Sequence, residues 1–309
     1  MYIEQKDINN FLNKYICFVD SLSKKYRYDN NVRHLLYLIV PAFVVKYGKS
    51  CENLILHCFS NVKIYTSDVD DKIVSASFNR VLMKNDDGYY TDKYIVLNNY
   101  TSSPFMRLLD NIVHEFNHAI NSINNEIVYD EKYVKLRTGL SYLVYDKESL
   151  RFISKSKEVS LEEVINTEQT EEVIDIINSF GNYDIENAEF SNMLFALKNE
   201  VNGKEYVSSA YYFQSVICDV LMKNKTFTPT ITNLRIKGFV EDIPFLFDNV
   251  LGRKGSYIKL NSLLNDIHDL EIKYSKARMF KSFILNKLKG KAQEVISLIY
   301  EYDRKCIYK

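Results

Sequence analysis

Two histidines four residues apart with a glutamate after the first, His114-Glu115-Phe116-Asn117-His118, are the residues of this chain best placed to do chemistry. On a helix, side chains four apart lie on one face, about one turn from each other. That separation lets two imidazole nitrogens meet one Zn²⁺ at roughly 2.0–2.1 Å each. Glu115 then stands beside that face, within reach of a metal-bound water without ligating the metal itself. This is the sequence pattern of a zinc hydrolase, with the glutamate as general base. The chain has only 5 histidines in 309 residues, so shuffling its composition would produce the pattern roughly once in two hundred tries. The alternative, two ordinary histidines on a half-buried helix, has to accept that coincidence.

The flanking residues supply the helix that the pattern needs. Ser103 suits an N-terminal cap, Pro104 the first helical position, and Asn124-Asn125 follow the last periodic residue. Phe105, Leu108, Leu109, Ile112, Phe116, Ala119, Ile120 and Ile123 recur at helical spacing, which predicts one buried face. Upstream, Ile8, Phe11, Leu12, Tyr15 and Ile16 mark an amphipathic helix, and Val32 to Tyr47 a second, more buried one. The period then changes. Val62, Ile64 and Thr66, Ile73 through Val81, and Tyr89 to Leu97 alternate as strands do, and Asp86-Asp87-Gly88 supplies a hairpin turn. Residues 125–159 read as irregular and charged, a long connection that is either a functional loop or carries short structure of its own. A helix follows from Ser160 to Gly181, with further segments at about 186–201 and 205–224. A looser Pro-punctuated region spans 226–256, and helices run to the end. The expected fold is α+β: a small sheet and the active helix in an N-terminal lobe, residues 1–125, and a mainly helical lobe, residues 126–309, with a cleft between them.

Composition narrows the partners. Forty acidic and 40 basic residues cancel to zero net charge, so neither nucleic acid nor an anionic membrane is favoured as a bulk partner. The longest apolar run, Leu35 to Val45, is broken by Pro41 and is short for a membrane span. The polar N-terminus has no signal-peptide core, and the 5 scattered cysteines include no Cys-x-x-Cys pair. Together these lead to the expectation of a cytoplasmic protein without structural zinc. Cys51, His57 and Cys58 read as a buried helix around Leu54, Ile55 and Leu56 rather than as a metal cluster. His34 reads as structural. Oligomeric state is left open.

A catalytic zinc takes three protein ligands and leaves a fourth position to water. The pattern with a third histidine six residues after the second does not apply, because position 124 is Asn and position 121 is not Gly. A carboxylate from a second helix is the sensible third ligand. Glu162-Glu163-Val-Ile-Asn-Thr resembles the Asn-Glu-x-x-Ser-Asp stretch of the gluzincins, the thermolysin-like metallopeptidases. The resemblance covers the active helix, this helix, and loosely the order of sheet, active helix and helical lobe. It implies one catalytic Zn²⁺ held by His114, His118 and Glu163, with Glu168 and Glu162 as the next candidates. Ser160-x-x-Glu163 is also a capping box, the competing structural reading of Glu163. Where the family uses a carboxylate to orient a ligating histidine, this chain has Asn166 and Thr167; Glu171 and Asp110 are further candidates for that role. The family's oxyanion donors, a Tyr and a His, have as counterparts Tyr142, Tyr145, Tyr211 or Tyr212, and His268. The implied activity is hydrolysis of a peptide or protein substrate. A different class stays open beside it: a zincin-like interaction or regulatory protein whose site no longer turns over.

Overall fold

A computed structural model describes residues 5–69, 75–156, 158–201, 212–222 and 226–307. The α+β expectation holds: small sheets precede and follow the helix that bears His114 and His118, and the C-terminal region is mostly helical. The chain divides into two compact units, Met1–Ile120 with Gln169–Ser208, and Asn121–Glu168 with Ser209–Lys309.

In the first unit, α1 (Gln5–Tyr26), α2 (Asn30–Tyr47) and α3 (Glu52–Asn61) lead into a three-stranded sheet of β1 (Val62–Thr66), β2 (Ala76–Asn85) and β3 (Gly88–Leu97), in the order β1-β3-β2. The α2 run is buried on all sides from Leu35 to Val44, and for this reason its hydropathy shows no stripe. β2 and β3 form the expected hairpin, Asn85 opposite Gly88, and Gly88 takes a φ of 126° that a side chain would resist. β1 runs parallel to β3, which leaves β2 at an edge. Helix α4 (Phe105–Ser122) follows at once, starting one residue after Pro104, whose carbonyl accepts the Leu108 N–H at 3.1 Å. Asn125 ends the segment in the left-handed region, φ 51°. His57 is exposed on α3 and Cys58 is buried there, as the helical reading of that segment requires. His34 meets Glu189 at 2.6 Å, beside an Arg33–Glu189 bond of 2.8 Å, a structural role.

The second unit corrects the sequence reading in two places. Residues 125–159 are not irregular: β4 (Ile127–Tyr129), β5 (Tyr133–Thr138), β6 (Ser141–Asp146) and β7 (Phe152–Lys155) form an antiparallel meander. Most of this sheet is half-buried or exposed, and only Val134, Leu136 and Arg137 of β5 are buried, so the alternation that marks a strand is faint. The region 226–256 is not loose either; it holds α8 (Phe227–Lys237) and α9 (Ile243–Val250). Pro229 and Pro244 fall within the first turns of these helices, where the missing N–H costs nothing. Helix α5 (Val159–Phe180) starts in this unit and continues as part of the first, which also includes α6 (Ala188–Val201); α7 (Tyr212–Met222), α10 (Ser256–Lys276) and α11 (Lys281–Ile307) complete the second. Residues 205–211 of the expected 205–224 segment lie outside the described residues, Tyr211 among them.

Buried charge ties β5, the β5–β6 turn and two helices of this unit together. The Glu162 carboxylate of α5 accepts the Leu140 N–H at 2.8 Å and pairs with Arg235 of α8, both side chains at 1% exposure or less. Arg137 donates to the Gly139 carbonyl at 2.8 Å and to that of Asn124. Gly139 itself has φ 55°, and a Cβ there would overlap the Glu162 carboxylate, so the turn requires glycine on two counts. Arg235→Met leaves the Glu162 charge buried without its cation, and should lower stability by about 3–5 kcal/mol in urea unfolding, with Glu162→Met in the same chain recovering part of it. A loss below about 1 kcal/mol would show that the pair is not what holds this region.

Candidate metal centre

The apolar stripe read from the sequence places α4 as predicted: Leu108, Leu109, Ile112, Phe116, Ala119 and Ile120 are all buried. Its other face is polar and yet equally buried. Asp110, His114, Glu115, Asn117, His118, Asn121 and Ser122 are each 8% exposed or less. Burying polar groups costs free energy unless each finds a partner, so a helix with polar residues enclosed all along one side is built around specific interactions.

Several of those interactions are explicit. The Asn117 amide donates to the Thr170 hydroxyl of α5 at 3.2 Å, and its oxygen accepts from the Tyr47 hydroxyl of α2 at 3.3 Å. Lys46 of α2 donates to the Gln169 carbonyl at 2.7 Å and pairs with Glu172 at 3.0 Å. These bonds fix the middle of α5. Glu163 lies seven residues before Thr170 on that helix, two turns or about 10 Å along a rigid rod.

His114, His118 and Glu163 form the one group among the described residues with the makings of a metal site. One ligand atom from each lies within 4.8 Å of the others, with both histidines buried and Glu163 half-buried. The imidazole rings stand 5.0 Å apart, centroid to centroid, at 79° to one another. Two donors on a tetrahedral ion, each about 2.0–2.1 Å from it, are themselves roughly 3.4 Å apart. A mutual distance under 4.8 Å is therefore closed by small side-chain adjustments. The donor chemistry also fits. Two imidazoles and one carboxylate is a set that catalytic zinc takes, whereas calcium and magnesium sites are built from oxygen ligands.

The competing assignments resolve in the same direction. Helix α5 begins at Val159, and Glu158 is the first carbonyl to accept, from the Glu162 N–H at 3.0 Å. Ser160 therefore sits inside the first turn, and the capping box that would have engaged Glu163 does not have its cap residue in position. Glu162, an alternative ligand by sequence, is committed to Arg235 and Leu140 instead. Glu168 is buried on α5 but is not part of the group.

Glu115 points to a contact that the sequence does not reveal. Its Oε2 accepts the backbone N–H of Phe78, on edge strand β2, at 2.6 Å. A short bond from a backbone donor to a carboxylate is of the charge-assisted kind and fixes the orientation of the group. No side-chain pattern announces a backbone donor, so only the register of β2 discloses it. Of the other candidates, Asn166 and Thr167 are fully buried on α5 and Glu171 is half-buried there. Tyr142 lies on β6, half-buried and packed against the helical core of its unit. Burial, and then the charge of Glu241, raise its phenol pKa, so it stays a proton donor at neutral pH. Tyr145 is on the same strand, Tyr212 opens α7, and His268 is half-exposed on α10.

Comparison with protein-family models, with curated proteins and with solved structures finds no match. The site therefore rests on its own geometry. Zinc titration of metal-free protein should give one tight site per chain. Glu163→Gln should weaken it by about 100-fold or more, His118→Ala should weaken it further still, and Glu168→Gln should keep the one-to-one stoichiometry. Isothermal titration calorimetry checks this, and tight binding that survives Glu163→Gln while Glu168→Gln removes it would reassign the third ligand.

Proposed function

We propose that the protein is a zinc-dependent peptidase of the gluzincin type, hydrolysing peptide bonds in a peptide or protein substrate. The observation that carries this reading is the grouping of His114 and His118 of one helix with Glu163 of another, together with a glutamate beside the first histidine. His114, His118 and Glu163 would hold the ion. Zn²⁺ in such a site lowers the pKa of a coordinated water from nearly 16 to about 7 and polarises a carbonyl oxygen.

The protein's own residues do the rest. Glu115 takes the proton released as water adds to the scissile carbonyl, and passes it to the nitrogen of the departing amine. The products are a carboxylic acid and an amine, and Glu115 returns to its starting state. The Phe78 N–H, bonded to Oε2, holds the carboxylate still. Asn166, Thr167 or Glu171 on α5, or Asp110 one turn before His114, would orient the ligating imidazoles. Tyr142, kept protonated, is the candidate donor to the oxyanion, a role in which loss of one donor costs roughly 3–4 kcal/mol in other enzymes.

Glu115→Gln should lower hydrolysis of a fluorogenic peptide library by about 10³-fold or more while zinc content, read by elemental analysis, stays at one per chain. Full activity in that variant would refute the mechanism, and a wild-type protein that binds zinc but cleaves nothing would favour the silent, regulatory reading. Tyr142→Phe should reduce kcat by about 100-fold with KM little changed. An unchanged kcat would remove Tyr142 from the reaction.

A further inference from the structure

The zero net charge of the whole chain conceals one segregated stretch. From Ile272 to Gly290 the sequence has six cations, Lys273, Lys276, Arg278, Lys281, Lys287 and Lys289, and no acidic residue at all. This stretch is the end of a helical hairpin: α10 stops at Lys276, α11 starts at Lys281, and a four-residue link joins two helices that pack on each other. All six cations are exposed. Amid them stand large apolar side chains left mostly exposed, Met279 at 71% exposure, Phe280 at 73% and Phe283 at 57%, with the Lys287 ammonium 4.6 Å from the centre of the Phe283 ring.

Local preferences are broken at this tip in ways that stability does not explain. Phe280 occupies the cap of α11, since its carbonyl accepts the Ile284 N–H at 3.1 Å, yet Ser, Thr, Asp or Asn are the residues that stabilise a cap. It also adopts φ 61°, a left-handed backbone that is an outlier for a bulky side chain. Arg278 and Lys281 flank the start of a helix whose first turn contains no acid, where the helix dipole favours negative charge. Positions where sequence and local structure disagree are the ones to suspect of function.

We propose that the α10–α11 tip docks onto an anionic phospholipid bilayer, with Met279, Phe280 and Phe283 entering the headgroup boundary inside a collar of lysines and arginine. Apolar side chains ringed by cations are the composition of interfacial membrane contacts, and each cation near an anionic leaflet adds favourable energy. Aliphatic Met279 offers a nucleic acid neither a donor nor a stacking plane. A two-fold contact between copies would set one basic collar against another. The expectation from bulk charge that no membrane partner is favoured averaged this stretch against acidic residues elsewhere. The tip would act from the surface: among the described residues no helix is long and apolar enough to cross a membrane.

Co-sedimentation of the full chain with vesicles tests this. The protein should pellet with phosphatidylcholine containing about 30 mol% phosphatidylserine, not with phosphatidylcholine alone, and should be released by about 0.5 M salt. Lys276→Gln with Lys281→Gln should reduce partitioning about thirtyfold. Phe280→Gly should reduce it about tenfold while Tm stays level or rises, because glycine accepts the left-handed backbone; Phe283→Ser provides the same reading without a backbone change. Failure of the wild-type chain to bind anionic vesicles overturns the proposal, as does binding that both sets of variants leave unchanged. Self-association lost in Phe280→Gly, or tighter capture by DNA than by vesicles, would assign the tip to another partner and overturn it equally.

Discussion

Enclosed polarity on α4 and α5 is the constraint from which the rest of this structure follows. A helix that buries Leu108, Ile112 and Phe116 on one side and His114, Asn117 and His118 on the other gains hydrophobic energy on the first face and pays desolvation on the second. Helix α5 repeats the arrangement, with Asn166, Thr167, Gln169 and Thr170 fully buried. An ordinary core helix would place leucines at these positions. Keeping polar groups there requires fixed partners, and the Asn117–Thr170 bond with the Lys46 contacts to Gln169 and Glu172 are such partners. Rigid helices fixed at these points carry their polar side chains to defined places, as a metal centre would require.

The same logic separates two adjacent glutamates. Glu162 and Glu163 have one chemistry and neighbouring positions, yet α5 turns them by about 100° from one another. One carboxylate goes to Arg235 and the Leu140 N–H, where it welds strand turn to helices. The other joins His114 and His118. A carboxylate buried beside a cation and a candidate metal ligand at a half-buried position thus come from a single Glu-Glu pair, and the helical period decides which is which.

How much of this could be read from the residues depended on whether the signal was local. The helix around His114 was legible because its apolar period and its end lie within about twenty residues of one another, although it starts one residue later than read, with Pro104 rather than Ser103 at the cap position. The β2–β3 hairpin was legible for the same reason, through its alternation and Asp87-Gly88. The second sheet was not, because strands such as Phe152–Lys155 are exposed throughout and give no in–out pattern. Helices α8 and α9 were hidden by prolines that prove to sit in their first turns. At the site, Glu163 came only through resemblance to another family's motif. The Glu162–Arg235 pair joins residues 73 apart and the Phe78–Glu115 bond uses a main-chain donor, so no pattern in one dimension announces either.

Zinc-edge X-ray absorption on the metal-loaded protein would test the central claim most directly, because it reads the coordination shell without reference to any substrate. A zinc ion held by His114, His118 and Glu163 would show two imidazole nitrogens and carboxylate or solvent oxygen at about 2.0–2.2 Å, with no sulfur in the shell, and would lose one imidazole when His114 is replaced by Ala. A shell containing sulfur near about 2.3 Å, or one that the His114 replacement leaves intact, would contradict it.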